Sequence, residues 1–111
     1  MEKLSLERIF NALLRLDLSH IDAKVYMFIA LTGPKKKLSI VNNLKINKQQ
    51  ISKSLVNLQN RGIIFTDLKN QNEFVALPFE KALELLIKTE KVKTQILQET
   101  KKTYFQTGKH Q

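Results

Sequence analysis

The chain has 111 residues, room for one domain and a single core. Its 42% hydrophobic and 26% charged residues are those of a globular rather than a disordered protein, and the absence of cysteine excludes a disulfide scaffold, a thiolate zinc site and a cysteine nucleophile. Lys and Arg outnumber Asp and Glu by 19 to 10, a net charge of +9 that points to an anionic partner.

No apolar run nears the roughly 20 residues of a membrane span. The N-terminal segment lacks the apolar stretch of a secretory signal. A cytoplasmic protein without membrane contact is expected.

Leu6, Ile9, Phe10, Leu13 and Leu14 recur at helical spacing and predict a first helix from Lys3 to Leu16. Asp17-Leu18-Ser19 breaks it. Ser19 is a good N-cap for a second helix, Ile21 to about Leu31, with Val25, Phe28 and Ile29 inward and Tyr26 partly so. Asp22 stands where a capping-box acid belongs. Gly33-Pro34 stops this helix.

A short helix is predicted from Ser39 to Leu44, anchored by Ile40, Val41 and Leu44. The turn Lys45-Ile46-Asn47 leads into a helix from Lys48 to about Arg61, with Asn47 as N-cap and Gly62 past its end. Ile51, Leu55 and Leu58 form its inward stripe. Residues 63–68 and 73–77 read as strands around the polar tip Lys69 to Asn72. Pro78 opens a last helix, Phe79 to about Tyr104, and Thr107 to Gln111 read as a tail.

This order is mainly α with a small β-hairpin: a winged helix-turn-helix with a long C-terminal helix. The DNA-binding unit spans residues 1–78, the last helix 79–105 and the tail 106–111.

The charge is unevenly spread. Ala23 to Thr66 holds eight basic residues and no acid, and it covers the helix-turn-helix. A solvated face normally mixes both signs. On the helix from Lys48, the side away from the apolar stripe carries Gln49, Lys53, Val56 and Asn60, flanked by Gln50, Ser52 and Asn57. Amides, hydroxyls and lysine are groups that read base edges. Gln49, Gln50, Ser52, Lys53 and Asn57 are the candidates for base readout in duplex DNA. Lys35, Lys36, Lys37, Ser39, Lys45, Lys48, Lys69 and Asn70 are the candidates for phosphate contact.

Other chemistry has little support. His20 and His110 lie at opposite ends of the chain, and Asp17 and Asp22 near His20 read as helix-start residues, so no metal site is expected. The three glycines form no phosphate loop, and no cofactor or enzymatic activity is expected. Leu85, Leu86, Val92 and Ile96 continue an apolar stripe along the last helix. A wet stripe is unfavourable, so pairing with a second copy of the chain is expected, against the alternative that the helix folds back on the first one.

The run Leu16-Asp17-Leu18-Ser19 with Asp22-Ala23-Lys24-Val25-Tyr26 resembles the "LGLSxxEAKVYLALL" opening of TrmB-type archaeal transcription regulators. Gly33-Pro34, Ile40-Val41, Ile46, Ile51 and the run from Leu55 to Ile64 follow the same family's "IAEKxGIPRSKVYEVLxxLxxKGLV" pattern. Residues 74–83 are similar to its "YxAVPPEEAL" segment. The resemblance implies a winged-helix DNA-binding domain. It does not imply sugar sensing, because the family's larger members carry an additional effector domain. Lys45 stands for the family's turn Gly, Asn47 for its Pro and Ser52 for its recognition-helix Tyr, so no operator carries over. The expectation is a homodimeric transcription regulator of double-stranded DNA. The rival is a winged helix that binds an acidic protein within a transcription complex.

Overall fold

Side-chain caps set the starts of three helices. The computed structural model describes residues 5–70 and 72–109, with side chains as far as Lys102. Lys3, Gln71 and His110 lie outside the described residues. The Ser5 hydroxyl accepts from the Arg8 amide at 3.1 Å, so α1 (Leu6–Arg15) begins at Leu6. Ser19 accepts from the Asp22 amide at 3.0 Å and starts α2 (His20–Thr32), as expected. Gly33, at φ +93°, ends it.

The third helix, α3 (Lys37–Leu44), starts two residues earlier than expected. Lys37 therefore belongs to the helix and not to the loop. Lys45 takes the left-handed conformation, φ +56° and ψ +39°, without the glycine that adopts it most cheaply. Asn47 accepts from the Gln50 amide at 2.8 Å and caps α4 (Lys48–Asn60). Beyond α4, Gly62 is at φ +79°.

Strands β1 (Ile64–Asp67) and β2 (Glu73–Ala76) pair antiparallel, with Thr66 opposite Phe74. Leu68, expected at the end of the first strand, lies instead in a 3-10 turn over Leu68–Asn70. Asp67 holds that turn: its carboxylate accepts from the Lys69 amide at 3.0 Å and from the Asn70 side-chain amide at 2.6 Å. Lys35 adds a one-residue third strand, exchanging both backbone bonds with Phe74. The loop after α2 is thereby part of the wing.

The core gathers one apolar face from every helix. Ile9 and Leu13 come from α1, Ile40 from α3, Ile51, Leu55 and Leu58 from α4, all buried. At the centre lies α2, where Ala23, Val25, Tyr26, Met27 and Ile29 are all buried; a helix packed on several sides is apolar nearly all round. Tyr26, expected to be only partly inward, is fully buried. Its ring meets Phe79 edge-on at 5.7 Å between centroids.

The last helix, α5 (Phe79–Lys109), runs 31 residues. It passes the expected end at Tyr104 and takes in most of the expected tail, for no proline interrupts it and a lone Gly108 costs only about 1 kcal/mol. At 1.5 Å per residue it is about 46 Å long. The radius of gyration is 17.5 Å, against about 13 Å for a compact chain of this length. Among the described residues no helix is long and apolar enough to cross a membrane.

Candidate nucleic-acid interface

The helix-turn-helix is α3, the turn at Lys45 to Asn47, and α4. Packing fixes which side of α4 faces out. Ile51, Leu55 and Leu58 are buried, which leaves Gln49, Gln50, Lys53, Val56 and Asn57 exposed and Ser52 half-buried. The five residues expected to read bases thus share the outer side of one helix. No carboxylate lies among them.

The cations fall on α3, the turn, α4 and the wing. Lys36 and Lys37 lie at the start of α3, Lys45 in the turn, and Lys48 at the first position of α4. Lys69 is exposed at the wing tip. Lys35, Ser39 and Asn70, all expected phosphate contacts, have partners within the chain. The Lys35 ammonium donates to the Thr32 carbonyl at 3.2 Å, one of the orphan acceptors at the end of α2. Ser39 accepts from the Asn43 side chain, and Asn70 is held by Asp67.

Two acids have different roles from those expected. The Asp22 amide does close the α2 cap, but its carboxylate turns to α4. It accepts from the Ser54 hydroxyl at 2.6 Å and from the Asn57 side-chain amide at 3.1 Å. Asp22 is 4% exposed and Ser54 3%, so this is a buried link between α2 and the outer helix. Ser54 went unremarked in the sequence because it interrupts an apolar stripe without breaking its period. A serine between Ile51 and Leu58 was the available signal. Asp17 lies in the link before α2, at φ +78°. Its carbonyl accepts from Arg61 at 2.9 Å, and its carboxylate meets Arg61 at 3.6 Å and Lys93 at 3.4 Å.

Along α5 the expected pairing stripe divides. Leu86 is 1% exposed and belongs to the core of its own chain, because the first turns of α5 pack on the domain. Leu85 is half-buried against it. Val92 and Ile96 are 47% and 56% exposed, and every described side chain from Lys91 to Lys102 is exposed.

Helix, turn, helix and two-stranded wing in this order, with a basic outer helix, define a winged helix-turn-helix of the transcription-regulator type. The family described as "Sugar-specific transcriptional regulator TrmB" matches residues 13–80. That is more than half of the chain, which belongs to this family. The solved structure of TrmBL2, an archaeal chromatin protein with a novel mode of DNA binding, has the same fold at a TM-score of 0.75 and 18% identity. The match covers 90% of this chain and 39% of that one, so the chain spans well under half of that relative's length. A MarR family transcription regulator matches at a TM-score of 0.55 and 18% identity, covering 86% of this chain and 66% of its own. A transcriptional regulator from Thermotoga maritima matches at 0.57 and 16%, covering 96% and 88%. No curated protein sequence matches the chain.

Proposed function

We propose that the chain is a sequence-specific regulator that binds double-stranded DNA as a homodimer in the cytoplasm. In this reading α4 enters the major groove, and Gln49, Gln50, Ser52, Lys53 and Asn57 meet base edges. Lys36, Lys37, Lys45 and Lys48 neutralise phosphates beside it, and the wing, with Lys69, lies on the backbone or in the minor groove. The observation that carries the reading is the outer side of α4: five polar or basic groups, no acid, and lysines at its start and in the turn before it. A winged helix commonly offers that surface to a duplex.

The uncovered length of α5 supports the dimer. Val92 and Ile96 expose apolar surface on a helix that runs on past the domain, and a matching helix would remove it from water. Two α4 helices related by a two-fold axis would then meet half-sites about 34–36 Å apart.

The test is selection of bound fragments from random duplex DNA, followed by shift assays on the recovered site. A palindromic site and at least tenfold loss on Lys53→Glu are expected. Equal affinity of Lys53→Glu and the parent protein overturns the readout. Binding weaker than about 100 μM at physiological salt, no better than non-specific, moves the assignment to an acidic protein partner.

A further inference from the structure

Asp22 is a carboxylate buried directly beneath a surface assigned to a polyanion. Burying a charge is costly, and its sign opposes DNA. It has nevertheless two partners, both on the recognition helix: Ser54 at 2.6 Å and Asn57 at 3.1 Å. Asp22, Ser54 and Asn57 line one cleft with Gln50 and Lys53, two further readout candidates. The link therefore ends among the groups that would touch bases.

An ionised carboxylate only accepts hydrogen bonds. The Asn57 group facing it must be the Nδ2 amide, which gives one of its two N–H groups to Asp22, and the Oδ1 is held outward as the acceptor offered to a base. An unrestrained asparagine turns over and offers either end. One held by Asp22 does not. A fixed Oδ1 accepts from the exocyclic amine of adenine or cytosine, and it repels the carbonyl oxygens of guanine and thymine in the major groove.

We propose that Asp22 is a positioning residue for DNA specificity: it locks the Asn57 amide so that this residue selects an amine-bearing base. The proposal rests on the reading of Asn57 as a base contact. Asparagine at position 22 keeps the volume but can donate as well as accept, so either orientation of the Asn57 amide is satisfied and discrimination falls.

The experiment measures binding of the full chain to the selected duplex with all four bases placed in turn at each position. The parent protein, Asp22→Asn, Asn57→Ala and the double variant are compared. The readout is the ratio between preferred and disfavoured bases, since a merely structural role lowers binding to all four bases alike. Asp22→Asn and Asn57→Ala are both expected to flatten the preference for adenine or cytosine at the same base pair, by roughly tenfold. The double variant is expected to be no flatter than Asn57→Ala. In the free protein, one Asn57 side-chain amide proton is expected to resonate downfield and to move back in Asp22→Asn.

Full discrimination retained by Asp22→Asn, where Asn57→Ala loses it, overturns the lock and leaves the base contact standing. No change of preference in Asn57→Ala, while Lys53→Glu alters it, removes the contact and the lock but not DNA binding. No duplex binding by the parent protein defeats the DNA reading and the lock together. If Asp22→Asn unfolds, Ser54→Ala replaces it. That variant frees one carboxylate oxygen, loosens the carboxylate and flattens the same base pair by a smaller factor; an unchanged preference, with no downfield Asn57 amide proton in the parent protein, overturns the lock.

Discussion

The Tyr26 hydroxyl donates to the Leu77 carbonyl, 51 residues further along the chain. The bond ties the central helix to the segment between the wing and α5. Burial raises the pKa of this hydroxyl above the ordinary tyrosine value, since the phenolate would lose its hydration. A raised pKa in the folded state means that folding favours the protonated form. The associated stability is full below the unfolded value, about pH 10, and is lost as pH rises beyond it. Tyr26→Phe is expected to cost about 1–2 kcal/mol at neutral pH, because Leu77 loses its donor. It should also remove this part of the alkaline loss. Urea unfolding at pH 7 and above pH 10 checks both effects.

Two left-handed positions respond in opposite senses. Gly62, at φ +79°, has the Leu85 Cδ2 only 3.2 Å from where a Cβ would sit. Gly62→Ala is expected to destabilise by about 1–2 kcal/mol from backbone strain and crowding together. Lys45 already bears that strain at φ +56°. Lys45→Gly is expected to stabilise by up to about 1 kcal/mol while weakening DNA binding through the lost cation. Thermal melting and a shift assay separate the two effects.

Leu86 and Ile96 lie ten residues apart on one helix and answer to different forces. Leu86→Ala opens a cavity in the chain's own core and should cost about 2–5 kcal/mol. Val92→Glu with Ile96→Glu leaves that core intact and should convert the proposed dimer to monomer in sedimentation, with the circular dichroism of the winged helix retained. A dimer that survives both charges ends the pairing role of α5.

Replacing Lys36 by Glu is expected to weaken binding to every duplex and to lower the salt dependence of log K by about one unit of slope. Lys53→Glu is expected to alter base preference as well. Titrations at three salt concentrations on the selected site and on unrelated DNA tell the two lysines apart.

Much of the fold was legible because its signals are local. Ser19 and Asn47 satisfy amides three residues on, and Gly62 ends the helix just before it; the residue types alone locate them. The inward stripe of α4 follows from the helical period, and with it the outer side that carries Gln49, Gln50, Lys53 and Asn57. The acid-free stretch was countable before any fold was known.

Other features depend on which elements meet. Asp22 reaches Ser54 and Asn57 across 32 and 35 residues, and nothing within one helical turn of Asp22 announces it. The same holds for Lys35 joining the wing through Phe74. An apolar stripe on α5 looks alike whether a domain or a second chain covers it, so only packing could place Leu86 inside and leave Ile96 out. The sequence by itself determined the helices, the wing and the sign of the surface, because caps, period and charge act within a few residues. The tertiary structure alone decided which polar groups are held and which are presented, because desolvation and pairing depend on neighbours far away in the chain.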